Sequence, residues 1–518
     1  MSGADLRDAG SDGRDPAPGS DGTATAGGSV RLADFVKAYD VRGLVPDQLD
    51  ERVAHAIGSA FAQVVVQPDG ADRVVIGHDM RPSSPALSRA FAQGVVGHGI
   101  EVVLTGLCST DELYYASGAL DAPGAMFTAS HNPAEYNGIK LCRSGARPVG
   151  QDTGLAEVRD LAQWLLDRGH LHHLPGAEHP AAVTERDLLP DYAGFLRTLV
   201  DLTRIRPLRV VVDAGNGMAG HTVPAVLGTQ AGLKELPLDV IPLYFELDGT
   251  FPHHVANPLE PENLVDLQHA VRAEHADIGL AFDGDADRCF VVDERGEPVS
   301  ASAITAMVAT REIARERAAG TPPEDVAIVH NVITSRAVPE IVAEHGARTV
   351  RTRVGHSFIK TQMAEHEAVF GGEHSAHYYF RDFWFADTGM LAALHVLAAL
   401  GGQDRPLSEL MAQFRRYVDS GEVNSRVADV PAATARVRAW ADALPDRTGV
   451  DTLDGLTLTH EGDATRPMWW LNLRASNTEP LLRLNVEAAD EPTMRWVRDN
   501  VLAVVRGSGA AEPEEHSV

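Results

Sequence analysis

The chain is short of cysteine, of positive charge and of long apolar runs, and each shortage closes off a class of protein. Its 518 residues hold three cysteines, Cys108, Cys142 and Cys289. With an odd number and no CxxC pair, no disulfide framework is expected, and a reducing compartment is implied. No stretch approaches the ~18 apolar residues of a membrane span. The N-terminal stretch lacks the charged-then-apolar order of a signal peptide, so a cytoplasmic protein is expected. Lys and Arg number 45 against 73 Asp and Glu, a net charge of -28. That balance argues against nucleic acid and anionic membranes as partners, which select for basic surfaces. It leaves phosphorylated small molecules open, because a few arginines can reverse the field inside one cleft.

What is present is ordinary globular material. The hydrophobic share is 44% and the charged share 23%, in a chain long enough for several domains. Residues 1–29 are rich in Gly, Asp, Ser and Pro and read as a disordered tail, as do residues 509–518. Between them, strand-like and helix-like runs alternate. Strand runs at 73–77, 102–104, 208–213 and 326–329 are interleaved with helical stretches near 49–66, 154–168, 302–319, 335–345 and 388–400, the last capped by Asp387. This predicts three α/β units with largely parallel or mixed sheets, followed by a smaller α+β unit of different composition. The expected divisions are 30–185, 186–296, 297–415 and 416–508.

The stretch Thr128-Ala129-Ser130-His131-Asn132-Pro133 is the organising feature. The apolar run Gly124–Phe127 leads in, and Pro133 forbids a helix just past the serine. Ser130 is thus placed on a tight loop beside an imidazole, which suits a serine that carries a group. Far downstream, Asp283-Gly284-Asp285-Ala286-Asp287-Arg288 forms a turn between two strands. Arg288 stands where a calcium loop needs glycine and the flanks are not helical, so an EF-hand is excluded. Three aspartates converging from one turn repel one another, and a hard divalent cation, Mg2+, is the natural counter-charge.

Other stretches are weaker alone. Gly215-Asn216-Gly217-Met218-Ala219-Gly220 is formally G-x-G-x-x-G, but no acid ends the next strand at the right distance, and a tight strand-to-helix turn is the better reading. His170, His172 and His173 lack an acid or cysteine to complete a metal set and fall in a linker-like segment. Gly372-Glu373-His374-Ser375-Ala376-His377 offers an acid, a hydroxyl and imidazoles that could read sugar hydroxyls. Arg474-Ala475-Ser476-Asn477-Thr478-Glu479-Pro480, with Arg483 after it, makes a phosphate cradle.

In this order and spacing, the serine loop, the D-G-D-A-D-R turn, the G-E-x-S-x-H loop and the R-x-S-N-T-E-P loop resemble the α-D-phosphohexomutase family. They cover about residues 31–507. The serine and sugar loops look closest to the bacterial phosphomannomutase/phosphoglucomutase types. The resemblance implies three related domains and a distinct fourth around one cleft. It implies that Ser130 carries the transferred phosphoryl group and that Asp283, Asp285 and Asp287, with a phosphoserine oxygen, hold one Mg2+. Glu373 and Ser375 would contact the sugar, and Arg474, Ser476, Asn477, Thr478 and Arg483 the phosphate that is not reacting. Tyr39, Arg42, Arg81 and His356 would line the cleft, and Arg288 would offset charge on the moving group. His377, Lys140 and His131 are the candidates for general acid/base, His377 first.

The implied activity interconverts hexose 6-phosphate and hexose 1-phosphate, for mannose and as a second pair glucose, with hexose 1,6-bisphosphate as activator and a monomer or homodimer as the active species. Phosphoglucosamine and phosphopentose mutases are the alternatives within the family. A catalytically silent sugar-phosphate-binding protein is a third, against which the intact serine, aspartates and arginines speak. Two departures bear on the sugar: Ala376 replaces a common glycine, and Ile333 stands where some mutases have lysine.

Overall fold

The computed structural model describes residues 30–169, 181–444, 448–463, 466–475 and 481–507. Ser476, Asn477 and Thr478, the three clustered histidines of 170–173 and both expected tails lie outside the described residues.

Four sheets follow one another along the chain. The first three repeat one pattern. In the first, Tyr136–Arg143, Gly124–Phe127, Arg73–His78 and Glu101–Leu107 are neighbours in that order. In the second the order is Cys289–Asp293, Ile278–Phe282, Leu208–Asp213, Leu238–Leu243, and in the third Tyr378–Phe380, Phe370–Gly372, Ala327–Asn331, Arg348–Thr352. Numbered by sequence within each unit, all three read 4-3-1-2. Strands one to three run parallel, and the fourth turns back antiparallel on the third. Their buried faces are continuous apolar runs such as Ile278–Phe282, buried at every position, as a sheet covered on both sides requires. The fourth sheet, Val418–Arg426, Leu481–Ala488, Trp469–Ala475, Leu456–His460 and Gly449–Asp451, is wholly antiparallel.

This repetition positions the site. In each of the first three units the link between the third and fourth strands is a short turn, and those turns are the serine loop, the aspartate turn and the Glu373–His377 loop. Each contains one non-glycine residue in the left-handed region: Ser130 at φ 50°, Ala286 at 62° and Ala376 at 65°. At position 376 a glycine would adopt that angle without strain.

The second and third units share one hydrophobic core, which reaches Tyr114, Cys142 and Ala146 of the first. The first and fourth units have cores of their own. Helix Gly389–Gly401 is buried nearly all round and lies in the shared core. Its cap corrects the sequence expectation. Thr388 accepts from the Leu391 amide, because it stands three residues before that donor, and Asp387 is turned elsewhere.

The G-x-G-x-x-G stretch makes the expected tight turn. A side chain on Gly217 would meet the Gly284 carbonyl oxygen at 2.7 Å, so the glycine lets this turn press against the aspartate turn. The Met218 amide donates to that same oxygen at 2.9 Å.

Candidate functional site

The turns of the first and second units meet face to face. Ser130 donates its hydroxyl to Asp283 Oδ2 at 2.9 Å, and its own amide donates to Thr128 Oγ1 at 2.9 Å. Arg288 reaches Asp283 at 2.8 Å and donates to His131 Nδ1 at 2.5 Å. Because a guanidinium can only donate, His131 Nδ1 is an acceptor and its proton sits on Nε2. Burial, reinforced by Arg288, holds that imidazole well below its ordinary value, hence neutral.

The aspartates are fully enclosed. Asp283, Asp285 and Asp287 are each no more than 1% exposed, and one oxygen from each lies within 4.8 Å of the others. Lys140 bridges Asp285 Oδ2 at 2.7 Å and Asp287 Oδ2 at 2.6 Å, and Thr110 donates to Asp285 Oδ2 at 2.6 Å. Burial pushes the Asp283 carboxyl up, with Asp287 and Asp285 adding to the rise and Arg288 opposing it. Burial would raise Asp285 as well, but the Lys140 ammonium, the Thr110 hydroxyl and Arg288 together outweigh it and Asp285 is held low. Lys140, flanked by two carboxylates, is raised well above its ordinary value against the effect of burial.

Within the cluster three aspartates face two permanent cations, Lys140 and Arg288. Asp285 Oδ1 and Asp287 Oδ1 are buried without a hydrogen-bond partner. Two orphaned carboxylate oxygens on neighbouring buried aspartates fit a hard divalent cation.

The third unit closes the other side. His377 lies 4.0 Å from Asp287 Oδ1, and its Nδ1 is 2.9 Å from Asp387 Oδ2. Asp387 Oδ1 in turn pairs with Lys360 at 2.8 Å, and that ammonium sits 4.1 Å over the Tyr114 ring. Burial acts to lower His377, but Asp287 and the bond to Asp387 raise it above its ordinary value. His356 goes the other way: burial, then Lys360, push it down to about 3. Tyr39 meets His356 edge-on, ring centroids 5.1 Å apart. Arg42 donates to Asn132 Oδ1 and to Asp40 Oδ2, both at 2.6 Å.

Tyr39, Arg42, Ser130, His131, Lys140, Asp287, Arg288, His356, His377 and Arg483 together line a cavity of about 710 Å³. Sequence reasoning had named all of these. It missed Asp387, Lys360 and Thr110; Thr110 meets Asp285 across two units and Lys360 meets Asp387 from a separate helix. The only local signal was the position of Asp387 ten residues after His377.

Six expected residues among those described, Arg81, Asp283, Asp285, Glu373, Ser375 and Arg474, stand outside that lining, the two aspartates buried in the cluster described above. Arg81 is the clear correction. It is 1% exposed and lies beneath the serine loop, donating to the carbonyls of Ser130, Asn132, Pro133 and Tyr136 at 2.6–2.9 Å, with Asp79 3.3 Å from its Nε. It is buried because the loop leaves four carbonyls without strand partners, and a guanidinium can satisfy all four. Glu373 and Ser375 bond each other at 3.1 Å, and Glu373 also accepts from Tyr379 at 3.0 Å. Arg474, 7% exposed, donates to Glu422 at 3.0 Å.

Three α/β units of one topology, with a serine facing an acidic cluster across their turns and an antiparallel fourth unit, define a class that comparison with known proteins identifies. The chain belongs to the phosphoglucomutase/phosphomannomutase family: residues 34–163, 190–296 and 302–417 match its alpha/beta/alpha domains I, II and III, and 422–504 its C-terminal domain. Among its relatives, a Xanthomonas campestris pv. campestris protein described as phosphohexose mutases is 39% identical over 475 residues, 91% of this chain and 99% of that one. A phosphomannomutase of Vibrio cholerae is 37% identical over 456 residues, 87% of this chain and 94% of its own. The crystal structure of a phosphoglucomutase/phosphomannomutase family protein from Burkholderia thailandensis superposes with a TM-score of 0.78 at 29% identity, covering 92% of this chain and 98% of that one.

Proposed function

We propose that the chain is a phosphohexomutase that interconverts the 6- and 1-phosphates of a hexose, mannose and glucose, through a phosphorylated Ser130 and a hexose 1,6-bisphosphate. The observation that carries this reading is the Ser130 hydroxyl bonded to Asp283 of a buried aspartate cluster, inside a cleft that also presents His377 and Arg483. On this reading the functional units run 30–185, 186–296, 297–415 and 416–508.

The phosphoryl group on Ser130 Oγ passes to the free hydroxyl of the hexose monophosphate. The new bond from the sugar oxygen to phosphorus forms as the bond to Oγ breaks. The sugar hydroxyl gives its proton to His377, and one returns to Oγ. The bisphosphate turns over in the cleft, and its other phosphoryl group moves to Ser130 by the same exchange in reverse. Asp387 fixes the His377 ring by accepting from Nδ1, which leaves Nε2 to handle the proton. Arg288 stands against Asp283 beside Ser130, where charge on the moving group develops. Arg42, Tyr39 and His356 shape the cleft around the sugar, and Glu373 and Ser375 face its hydroxyls. Arg474, Ser476, Asn477, Thr478 and Arg483 hold the phosphate that is not reacting. Asp283, Asp285 and Asp287 would hold one Mg2+, which when bound supplies positive charge against the phosphoryl oxygens. Hexose 1,6-bisphosphate serves as activator by phosphorylating Ser130.

The test is turnover of mannose, glucose and glucosamine 1-phosphates with Mg2+ and a trace of hexose 1,6-bisphosphate. Mannose and glucose 1-phosphates are expected to turn over. Chelation of the metal, or Ser130→Ala, is expected to lower kcat at least about a thousandfold. Exclusive turnover of the glucosamine substrate would overturn the substrate assignment, and undiminished activity in Ser130→Ala would overturn the mechanism.

A further inference from the structure

The two arginines assigned to the non-reacting phosphate are not independent of each other. Arg474 and Arg483 are directly opposed partners on adjacent strands of the fourth sheet. Two guanidiniums so placed repel, and long side chains on a sheet face lose rotamer freedom when an anion orders them. A third residue addresses both problems. Glu422 lies on the neighbouring edge strand Val418–Arg426, paired with Asn485. Alternation therefore puts 422, 474, 483 and 485 on one face. Glu422 Oε2 accepts from Arg474 at 3.0 Å, and Oε1 lies 3.1 Å from Arg483 Nη1, so each oxygen serves one guanidinium. The strand is irregular just before this point: its register slips between Asp419 and Glu422, and Gly421 sits at φ 63°. A bulge of this kind re-aims the side chain that follows it.

We propose that Glu422 is a positioning residue of the phosphate cradle. Its carboxylate holds both guanidiniums in a fixed relation before substrate arrives and offsets one of their two charges. Glu422 touches no reacting atom and acts only through the two arginines. This rests on reading Arg474 and Arg483 as the phosphate grip.

Steady-state kinetics of Glu422→Gln, Glu422→Asp, Arg474→Ala and Arg483→Ala separate the two claims, with inorganic phosphate as a competitive probe. Glu422→Gln keeps the size but bridges only one arginine. It is expected to raise KM for the hexose monophosphate about tenfold and the inhibition constant of inorganic phosphate in parallel, with the loss in KM rather than kcat. Glu422→Asp, which keeps the charge but not the reach, is expected to fall between. Glu422 is exposed on an edge strand, so these variants are expected to melt like the parent, and their melting is measured alongside. Unchanged KM in both Glu422 variants, with raised KM in Arg474→Ala, would overturn the positioning role alone. A lowered KM in Glu422→Gln would overturn it too, by making the carboxylate a competitor of the phosphate. Unchanged KM in both arginine variants would remove the cradle itself.

Discussion

Ser130 is buried at the foot of the cleft and is held there with backbone strain: a non-glycine residue at φ 50° costs on the order of 1–3 kcal/mol. Thr128 and Arg81 hold it there from both sides of the peptide. Elsewhere single buried groups set how the molecule responds to acid. His330, on the central strand Ala327–Asn331, is pushed down to about 4 by burial. Between its ordinary value near 6.5 and about 4, the unfolded chain binds a proton that the folded chain does not. Stability therefore falls as pH drops through that window, by at most about 3 kcal/mol from this residue. His330→Gln is expected to narrow the difference between urea midpoints at pH 7 and pH 5. An unchanged difference would contradict the assignment.

At the scale of elements, the serine loop is held from below rather than by its own sequence. Arg81 donates to four of its carbonyls, and the second unit covers that arginine, with Phe251 5.1 Å from the guanidinium and Gly249 packed against Arg81 and Pro82. Arg81→Lys keeps a cation beside Asp79 but cannot span four acceptors. It is expected to lower kcat about a hundredfold by misplacing Ser130 and to lower the melting temperature. Parental kcat in the variant would show that the loop holds itself.

Elements of this kind were unevenly legible in the sequence. The four motif stretches carry their chemistry in short, contiguous patterns, and periodicity placed the strands beneath them, so the three units and their turns could be read directly. Arg81, Asp387 and Lys360 could not be placed, because what decides their roles is a partner that the fold, not the local pattern, brings alongside: carbonyls 49 and 51 residues on for Arg81, and His377 and Lys360 for Asp387. An aspartate before a helix reads as a cap, yet Thr388 takes that work and frees Asp387 for His377. Similarly, an arginine in a polar loop reads as a ligand for substrate until the carbonyls above it are seen.

At the scale of the molecule, the cleft needs all four units. Three bring their turns to its floor and walls, and the fourth brings Arg483. The fourth has its own core and meets the third through polar contacts: Arg351 with Asp451, Arg336 with Glu461 at 2.6 Å, and the Val354 amide with Asp454 at 2.9 Å. Val354 precedes His356 in one turn, and Gly455 after Asp454 backs onto Arg474. The clasp therefore joins the phosphate side of the cleft to its sugar side. No helix among the described residues is long and apolar enough to cross a membrane.

The central claim is that Ser130 is the relay for the phosphoryl group. The most direct measurement is a single-turnover chase: enzyme carrying a radiolabelled phosphoryl group is mixed with excess unlabelled hexose 1-phosphate and quenched on the millisecond scale. The account predicts that label leaves Ser130, appears first in hexose bisphosphate and then in hexose 6-phosphate. Label that stays on the protein through many turnovers, or leaves only as inorganic phosphate, would contradict it.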